Sequence, residues 1–97
     1  MAAHMYILEC SDGSFYVGST RNLDERIAQH LSGRGSAYTS RRMPVKLVYS
    51  AEFEHIGEAY AAEKRVQGWS RAKRLALINN DFGALRRLSV KGGDRSR

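Results

Sequence analysis

Arg26 and His30 are the first two residues whose types and spacing could support chemistry. Four positions along a helix bring two side chains to the same face. The Arg26 guanidinium offers a permanently charged fork of donors that suits a phosphate, and an imidazole can accept or relay a proton near neutral pH. From the helix alone, a solvated polar face that ends in a histidine is the simpler interpretation.

Glu63 is the next candidate, because it lies in an otherwise apolar stripe. Helical spacing places this stripe on one face of a later helix, and its members are Ala59, Tyr60, Ala62, Val66 and Trp69. A carboxylate among core residues is costly unless it is paired or bound to a cation. Two explanations stay equally open: coordination of a metal ion, and a salt bridge to a basic residue such as Arg26.

Tyr6, Tyr16 and Gly18 fall in a predicted β-hairpin. The two runs that carry them are rich in aromatic and β-branched residues, and the Asp12-Gly13 pair between the runs favours a tight turn. Such a turn allows both tyrosines to border one patch. A glycine inside a strand often marks the close approach of a backbone or a ligand. Two strand tyrosines alone, however, more often reflect core or cross-strand packing.

The elements that must position these residues follow from hydrophobic periodicity and capping signals. Asn22 and Glu25 fit an extended form of the capping-box pattern, which predicts a helix that stops at Gly33. In chain order we predict strands at 5–10 and 14–19, a helix at 23–31, a Gly/Ser-rich loop at 33–42, a strand at 45–53, and helices at 56–67, 71–78 and 81–88. This order, ββαβαα(α), predicts a small α+β domain with helices packed on a three-stranded sheet.

Length and composition limit the number of domains and the classes of protein to which this sequence can belong. The chain of 97 residues suits one small domain, predicted at residues 1–88, followed by a basic tail at 89–97 that is expected to be disordered. No apolar run approaches the roughly 20 residues that span a bilayer. Residues 1–10 lack the pattern of a signal peptide, and the single cysteine, Cys10, excludes an internal disulfide framework. We therefore expect no membrane association and a reduced, cytoplasmic setting.

The positive charge is concentrated at one end of the chain. The sequence has 16 Lys and Arg against 10 Asp and Glu, for a net charge of +6. Basic and acidic residues balance in residues 1–70, so the whole excess lies in residues 71–97. A one-ended basic field attracts a polyanion, and counterion release then supplies non-specific affinity. A solvated face with a basic tail explains the same charge equally well.

Taken together, these residues resemble the GIY-YIG nuclease superfamily. Residues 4–6 stand at the first motif and keep its tyrosine, Tyr6, but neither its glycine nor its isoleucine. Residues 16–18 stand at the second motif and keep both Tyr16 and Gly18. The two motifs occur in the same order as in the family.

The resemblance continues beyond the hairpin. Arg26 falls eight residues after the second motif, His30 follows one helical turn later, and Glu63 lies on a later helix. Residues 69–73, Trp-Ser-Arg-Ala-Lys, resemble the compact stand-alone bacterial members of the superfamily. Five separate features thus agree in order from residue 6 to about residue 78.

The resemblance implies a fold and a chemistry. The fold is a three-stranded antiparallel sheet flanked by helices, and the reaction is phosphodiester hydrolysis in DNA with one divalent cation, Mg²⁺ or Mn²⁺. By the same resemblance, Glu63 is expected to bind the metal ion, and Arg26 is expected to stabilise the charged phosphate. Tyr6 becomes the proton acceptor or aligner for the attacking water, with Tyr16 beside it. His30 stands where some members hold a histidine that helps to deprotonate the water or the phenol.

The expected function is therefore a DNA endonuclease that acts in repair or turnover, on branched or single-stranded DNA among other forms. We expect low sequence specificity, because these residues include no separate DNA-recognition domain. The expected contacts to nucleic acid are Arg34, Arg41, Arg42, Lys46, Lys73 and Arg74.

Two other interpretations stay open. The chain could be a nucleic-acid-binding module that keeps the nuclease fold but cleaves weakly or not at all. Two departures from the family pattern favour this alternative: the first motif lacks its glycine, and no asparagine is well placed after Glu63. Both concern the rate of DNA cleavage more than the fold. The other alternative is a domain that binds an acidic partner protein through its basic end. The sequence does not predict the oligomeric state.

Overall fold

The computed structural model describes residues 2–94, with side chains as far as residue 89. Its elements are β1 (Ala3–Glu9), β2 (Phe15–Thr20), α1 (Leu23–Leu31), α2 (Ala37–Ser40), β3 (Lys46–Phe53), α3 (Ile56–Gln67), α4 (Arg71–Ile78) and α5 (Phe82–Asp94). They form two compact units, which divide between Gln67 and Gly68. Among the described residues, no helix combines the length and apolar character that crossing a membrane requires.

The first unit is built on one antiparallel sheet in the order β2-β1-β3. This confirms the predicted α+β fold with a three-stranded antiparallel sheet. The hairpin turn has the conformation that the Asp12-Gly13 pair favours. Gly13 has φ +85°, and its N–H donates to the Cys10 carbonyl at 2.9 Å. The resulting register sets Tyr6 directly opposite Gly18.

The two faces of the sheet carry different helices, because alternate residues of a strand point to opposite sides. Tyr6 and Leu8 belong to a buried cluster against which Leu23 and Ile27 of α1 pack. The other face bears Met5 and Ile7, and α3 packs against all three strands through small buried residues, Ala59, Ala62 and Val66. The central strand β1 is therefore buried on both sides.

Helix α1 has the ends that its sequence predicts. The Asn22 side chain caps the helix: it accepts from the Glu25 N–H at 3.1 Å and donates to the Glu25 carboxylate at 3.2 Å, while the Asn22 N–H donates to the Thr20 hydroxyl at 3.0 Å. At the other end Gly33 adopts φ +84°, and the N–H groups of Gly33 and Arg34 donate to carbonyls of the last turn. The helical spacing of Leu23, Ile27 and Leu31 predicts an apolar stripe on this helix. That prediction is wrong at its last member: Leu31 is 54% exposed, whereas His30 is fully buried.

Residues 33–42 are not the plain loop that their glycine and serine content predicted. The segment contains the short helix α2, whose N-cap is Ser36: its hydroxyl accepts from the Thr39 N–H at 3.1 Å. Arg42 then ties the segment to the hairpin turn, since its guanidinium bonds Asp12 at 3.1 Å and its carbonyl accepts from the Ser11 N–H. The segment is thus anchored at both ends.

The second unit is helical. Ser70 caps α4 by accepting from the Lys73 N–H, and Asp81 caps α5 by accepting from the Ala84 N–H. Asn80, at φ +57°, takes the left-handed position at the end of α4, and α4 packs against α5. Helix α5 continues to Asp94, past the expected end near Leu88, and residues 95–97 of the expected tail lie outside the described residues.

Candidate active site

The centre of the site is the Tyr6 phenol, which rises from the middle strand and is 1% exposed. Its Oη lies 2.9 Å from Nε2 of His30 and accepts a hydrogen bond from Nε of Arg26 at 3.3 Å. Arg26 and His30 reach it from the same face of α1, as their spacing predicted. Three of the predicted site residues therefore meet at one oxygen atom.

Gly18 makes room for this phenol. A Cβ at position 18 would lie 2.5 Å from Oη and 2.6 Å from Cζ of Tyr6, closer than real side chains approach. The glycine sits in extended backbone opposite Tyr6, so its role is close approach and not turn formation. The strand glycine in the second motif thus has a steric explanation.

Gly18→Ala is expected to destabilise the protein by about 1–3 kcal/mol, because the Tyr6 ring is buried and its Oη is held by two partners. The midpoint of thermal unfolding should fall by roughly 4–8 °C for each kcal/mol lost. Gly57→Ala is the matched control, since a Cβ on that helical residue meets nothing within 4 Å. Equal melting temperatures for the two variants would contradict the steric role of Gly18.

Tyr16 lies beside the Tyr6 phenol, as expected from the hairpin. Its ring centroid is 6.4 Å from that of Tyr6 and 5.2 Å from that of His30. On its other flank it stacks on Tyr38 of α2 at 6.1 Å, and the Arg42 guanidinium covers the Tyr38 ring at 3.7 Å. Tyr38 was missed by the sequence analysis, because only the folded segment 33–42 brings it to the hairpin.

Burial controls the protonation of both groups at the centre. Desolvation raises the pKa of Tyr6, and the hydrogen bond from Arg26 and its charge offset this only in part. Desolvation and, to a smaller extent, the positive charge of Arg26 together lower the pKa of His30 to about 4. At neutral pH the resting site therefore holds a neutral phenol against a neutral imidazole.

The depressed pKa of His30 predicts a pH-dependent stability. Between pH 6.5 and about 4, His30 is protonated in the unfolded chain but stays neutral in the native protein. The free energy of unfolding therefore falls as the solution is acidified. The loss should reach at most roughly 3 kcal/mol. Denaturant unfolding at several pH values measures it, and the slope should flatten in His30→Gln but not in His55→Gln. Equal slopes in the two variants would contradict the burial argument.

Glu63 lies on α3, where it contacts the edge strand β2. It is half-buried, its Oε1 accepts from the Ser19 hydroxyl at 2.6 Å, and its Oε2 accepts from the Gln67 amide at 2.9 Å. The Gln67 amide also donates to the Val17 carbonyl. The negative charge of Glu63 contributes to the raised pKa of Tyr6, so the two groups are electrostatically coupled.

The surroundings of Glu63 fit a hard divalent cation. Its hydrogen bonds come from neutral donors, and none of the ion pairs found among the described residues involves it, which leaves the salt bridge to Arg26 without support. Each carboxylate oxygen keeps a free lone pair beyond the bond that it accepts. No cluster of three or more ligating side chains occurs in the described part of the chain. One carboxylate completed by water and phosphate is a common arrangement for Mg²⁺.

The basic residues expected to contact nucleic acid fall into three groups. Arg42 and Lys46 pair with Asp12 and Glu9, at 3.1 and 3.8 Å, so their charge is partly neutralised. Arg34 and Arg41 are exposed on the segment that follows α1. Lys73 and Arg74 belong to the second unit, where they contact the Trp69 ring and the Trp69 carbonyl.

Comparison with known proteins identifies the family of this chain. A family model described as the GIY-YIG catalytic domain matches residues 2–76. The chain belongs to the GIY-YIG family. The family is of the endonuclease type and has DNA as its substrate class, so this chain carries a nuclease-type domain.

Among GIY-YIG relatives, the chain is similar to the small UPF0213 proteins. It is 44% identical to one from Streptococcus pneumoniae serotype 4 over 79 residues, 81% of this chain and 80% of the relative. It is 42% identical to one from Halobacterium salinarum over 75 residues, 77% of this chain and 97% of the relative. The name UPF0213 specifies neither a substrate nor a reaction.

Two solved structures share the GIY-YIG fold of this chain. The solution NMR structure of a UPF0213 protein from Bacillus halodurans has a TM-score of 0.54 at 43% identity and covers 81% of this chain and 84% of its own. That of a protein from E. faecalis has a TM-score of 0.57 at 31% identity and covers 84% of this chain and 88% of its own. Both confirm the predicted fold.

Proposed function

We propose that this protein is a metal-dependent DNA endonuclease of low sequence specificity that acts in DNA repair or turnover. One observation carries the proposal: the buried Tyr6 phenol lies between Nε of Arg26 and Nε2 of His30, at 3.3 and 2.9 Å. A phenol held between a fixed cation and a neutral imidazole can pass on its own proton and then accept one from water.

The protonation states support this role. The Tyr6 phenol cannot ionise alone near neutral pH, because burial raises its pKa above the ordinary value of 10. His30 is neutral there, since its pKa is lowered to about 4, so the Nε2 lone pair is open to the phenol hydrogen. Because so weak a base does not ionise the resting phenol, the phenol proton passes to Nε2 as the Tyr6 oxygen removes a proton from the attacking water, whose oxygen forms the new bond to phosphorus. The leaving group takes away the electrons of the broken P–O bond.

Arg26 acts on both the Tyr6 oxygen and the phosphodiester. Its Nε–H stabilises negative charge on the Tyr6 oxygen, and the same guanidinium supplies positive charge toward a phosphodiester bound against the site. Gln29 holds the other side of the fork by accepting from Nη1 at 2.8 Å. The guanidinium is thus fixed before substrate arrives, which lowers the cost of reorganisation during the reaction.

Glu63 is the residue that we propose to hold the divalent cation, Mg²⁺ or Mn²⁺. When bound, such an ion neutralises charge on the phosphate and on the leaving oxygen. The Ser19 hydroxyl and the Gln67 amide fix the orientation of the carboxylate, so its remaining lone pairs are preset. Arg34 and Arg41, on the exposed segment, are the contacts that we propose for the DNA backbone in this unit.

A cleavage assay tests the proposal. Supercoiled plasmid, single-stranded and branched DNA are incubated with the protein and with Mg²⁺, Mn²⁺ or EDTA. Binding is followed separately at several salt concentrations, because phosphate contacts make affinity fall with salt. We expect nicking that requires the cation and has no defined sequence. Salt-sensitive binding without cleavage in either cation would favour a nucleic-acid-binding module, and the loss of both would favour a protein partner.

A further inference from the structure

The second nitrogen of His30 also has a defined partner. Its Nδ1 lies 3.0 Å from Oγ1 of Thr39, and both residues are completely buried. Thr39 belongs to α2, the short helix that the sequence did not predict. Gly35 lies so close to the imidazole that any side chain there would collide with the ring. The segment 33–42 is therefore shaped around His30.

The direction of the hydrogen bonds is fixed from the Tyr6 side. Arg26 can only donate, so its Nε–H uses a lone pair of the phenol oxygen. Among the described residues, the remaining hydrogen-bond partner of the Tyr6 Oη is Nε2 of His30. The phenol hydrogen therefore points to Nε2, which must carry no hydrogen of its own. A neutral imidazole has one ring hydrogen, and it is then on Nδ1.

The contacts of Thr39 agree with the same direction. Its hydroxyl donates to the Ser36 carbonyl at 3.4 Å, and that carbonyl can only accept. The Ser36 hydroxyl lies 3.0 Å from Oγ1 of Thr39. Oγ1 has two lone pairs, which can receive the Ser36 hydroxyl and the Nδ1–H of His30. Each hydrogen bond on the path from the Arg26 Nε through Tyr6, His30 and Thr39 to Ser36 then has one donor and one acceptor.

We propose that Thr39 is a positioning residue that holds His30 in the Nδ1–H form and thereby leaves Nε2 free to accept the proton of Tyr6. The inference rests on the proposed function, because it concerns the proton path of that site. The opposite form would place an N–H against the phenol oxygen, and His30 could then no longer accept a proton there. When Nε2 takes the proton, the bond from Nδ1–H to Thr39 stays in place, so the imidazole does not need to turn.

The ring nitrogens of His30 report this arrangement directly by NMR. In uniformly ¹⁵N-labelled protein, two-bond ¹H–¹⁵N spectra distinguish protonated from unprotonated ring nitrogens for each histidine. At neutral pH we expect a protonated Nδ1 and an unprotonated Nε2 for His30, the reverse of the form that free histidine side chains favour in water. His4 and His55 serve as internal references. A wild-type His30 protonated at Nε2 would overturn the proposal, whether or not the protein cleaves DNA.

Two substitutions separate positioning from packing. Thr39→Val keeps the shape but removes the acceptor, whereas Thr39→Ser keeps the hydroxyl. We expect the valine variant to lose the Nδ1–H form and roughly 10²-fold in the cleavage rate, and the serine variant to retain the Nδ1–H form and most of the rate. A valine variant with the wild-type tautomer and rate would refute the role of Thr39.

The two proposals can fail separately. If Thr39→Val does not fold, the wild-type and Thr39→Ser spectra still decide the tautomer. An Nδ1–H form of His30 in a protein that cleaves no DNA would support the positioning role and overturn the nuclease proposal.

Discussion

Replacing Glu63 by glutamine is expected to lower metal-dependent cleavage on the order of 10³-fold, because a bound cation contributes several kcal/mol to stabilisation of the transition state. Glutamine keeps the length of the side chain and an oxygen that can accept from the Ser19 hydroxyl, but it removes the charge that attracts the ion. The exposed Gln67 amide must turn to accept from the new amide, and it then gives up its bond to the Val17 carbonyl. The fold should therefore survive while the activity is lost.

The measurement is the nicking rate across a series of Mg²⁺ concentrations, together with thermal unfolding in EDTA. Glu58→Gln is the matched control, since Glu58 is an exposed carboxylate on the same helix, α3. It removes the same charge from the protein and should leave the rate nearly unchanged. A Glu63→Gln protein that still cleaves at the wild-type rate with the same dependence on Mg²⁺ would show that the cation is held elsewhere.

Most of the fold could be predicted because its signals are local. The Asp12-Gly13 turn, the capping pair Asn22 and Glu25, and the positive φ of Gly33 each act within a few residues, and the structure has all of them. The helices α1, α3 and α4 have the boundaries that periodicity and capping predicted. Local chemistry of this kind can be read without knowledge of the tertiary contacts.

The features that could not be predicted depend on tertiary packing. The stripe on α1 suggested that Leu31 would be buried, yet His30 takes the interior position because Tyr6 and Thr39 satisfy both of its nitrogens. On α3, Tyr60 is 52% exposed although it was expected in the apolar stripe. A pattern of residue types does not show which polar group will find partners inside the protein.

The candidate site was assembled from the resemblance and not from the residues alone. From the helix alone, Arg26 and His30 suggested a solvated face, and the structure instead brings both to the Tyr6 phenol. The supporting residues, Ser19 and Gln67, were missed. Gln67 had a usable signal, since it follows Glu63 by four positions on a helix, whereas Ser19 meets Glu63 only through the folded sheet.

Tyr6→Phe is the other change with a large expected effect. It removes one oxygen atom and keeps the ring, so the packing of the buried cluster should be preserved. Without that oxygen the attacking water has no proton acceptor in the proposed path, and cleavage should fall roughly 10³-fold. Arg26 and His30 each lose a partner in a buried site, so stability should also fall, by about 1–3 kcal/mol.

The rate is measured at saturating Mg²⁺ and at a temperature where unfolding shows both proteins to be native. Tyr60→Phe is the control, because that tyrosine is half exposed and its ring contacts Lys64 instead of the site. DNA affinity at low salt should be unchanged in Tyr6→Phe, since the Arg26 guanidinium keeps its charge. A Tyr6→Phe protein that cleaves within a few-fold of wild type would exclude the phenol as the proton acceptor. The base would then have to be sought among the remaining neighbours of Arg26, beginning with Tyr16, whose ring lies 6.4 Å from that of Tyr6.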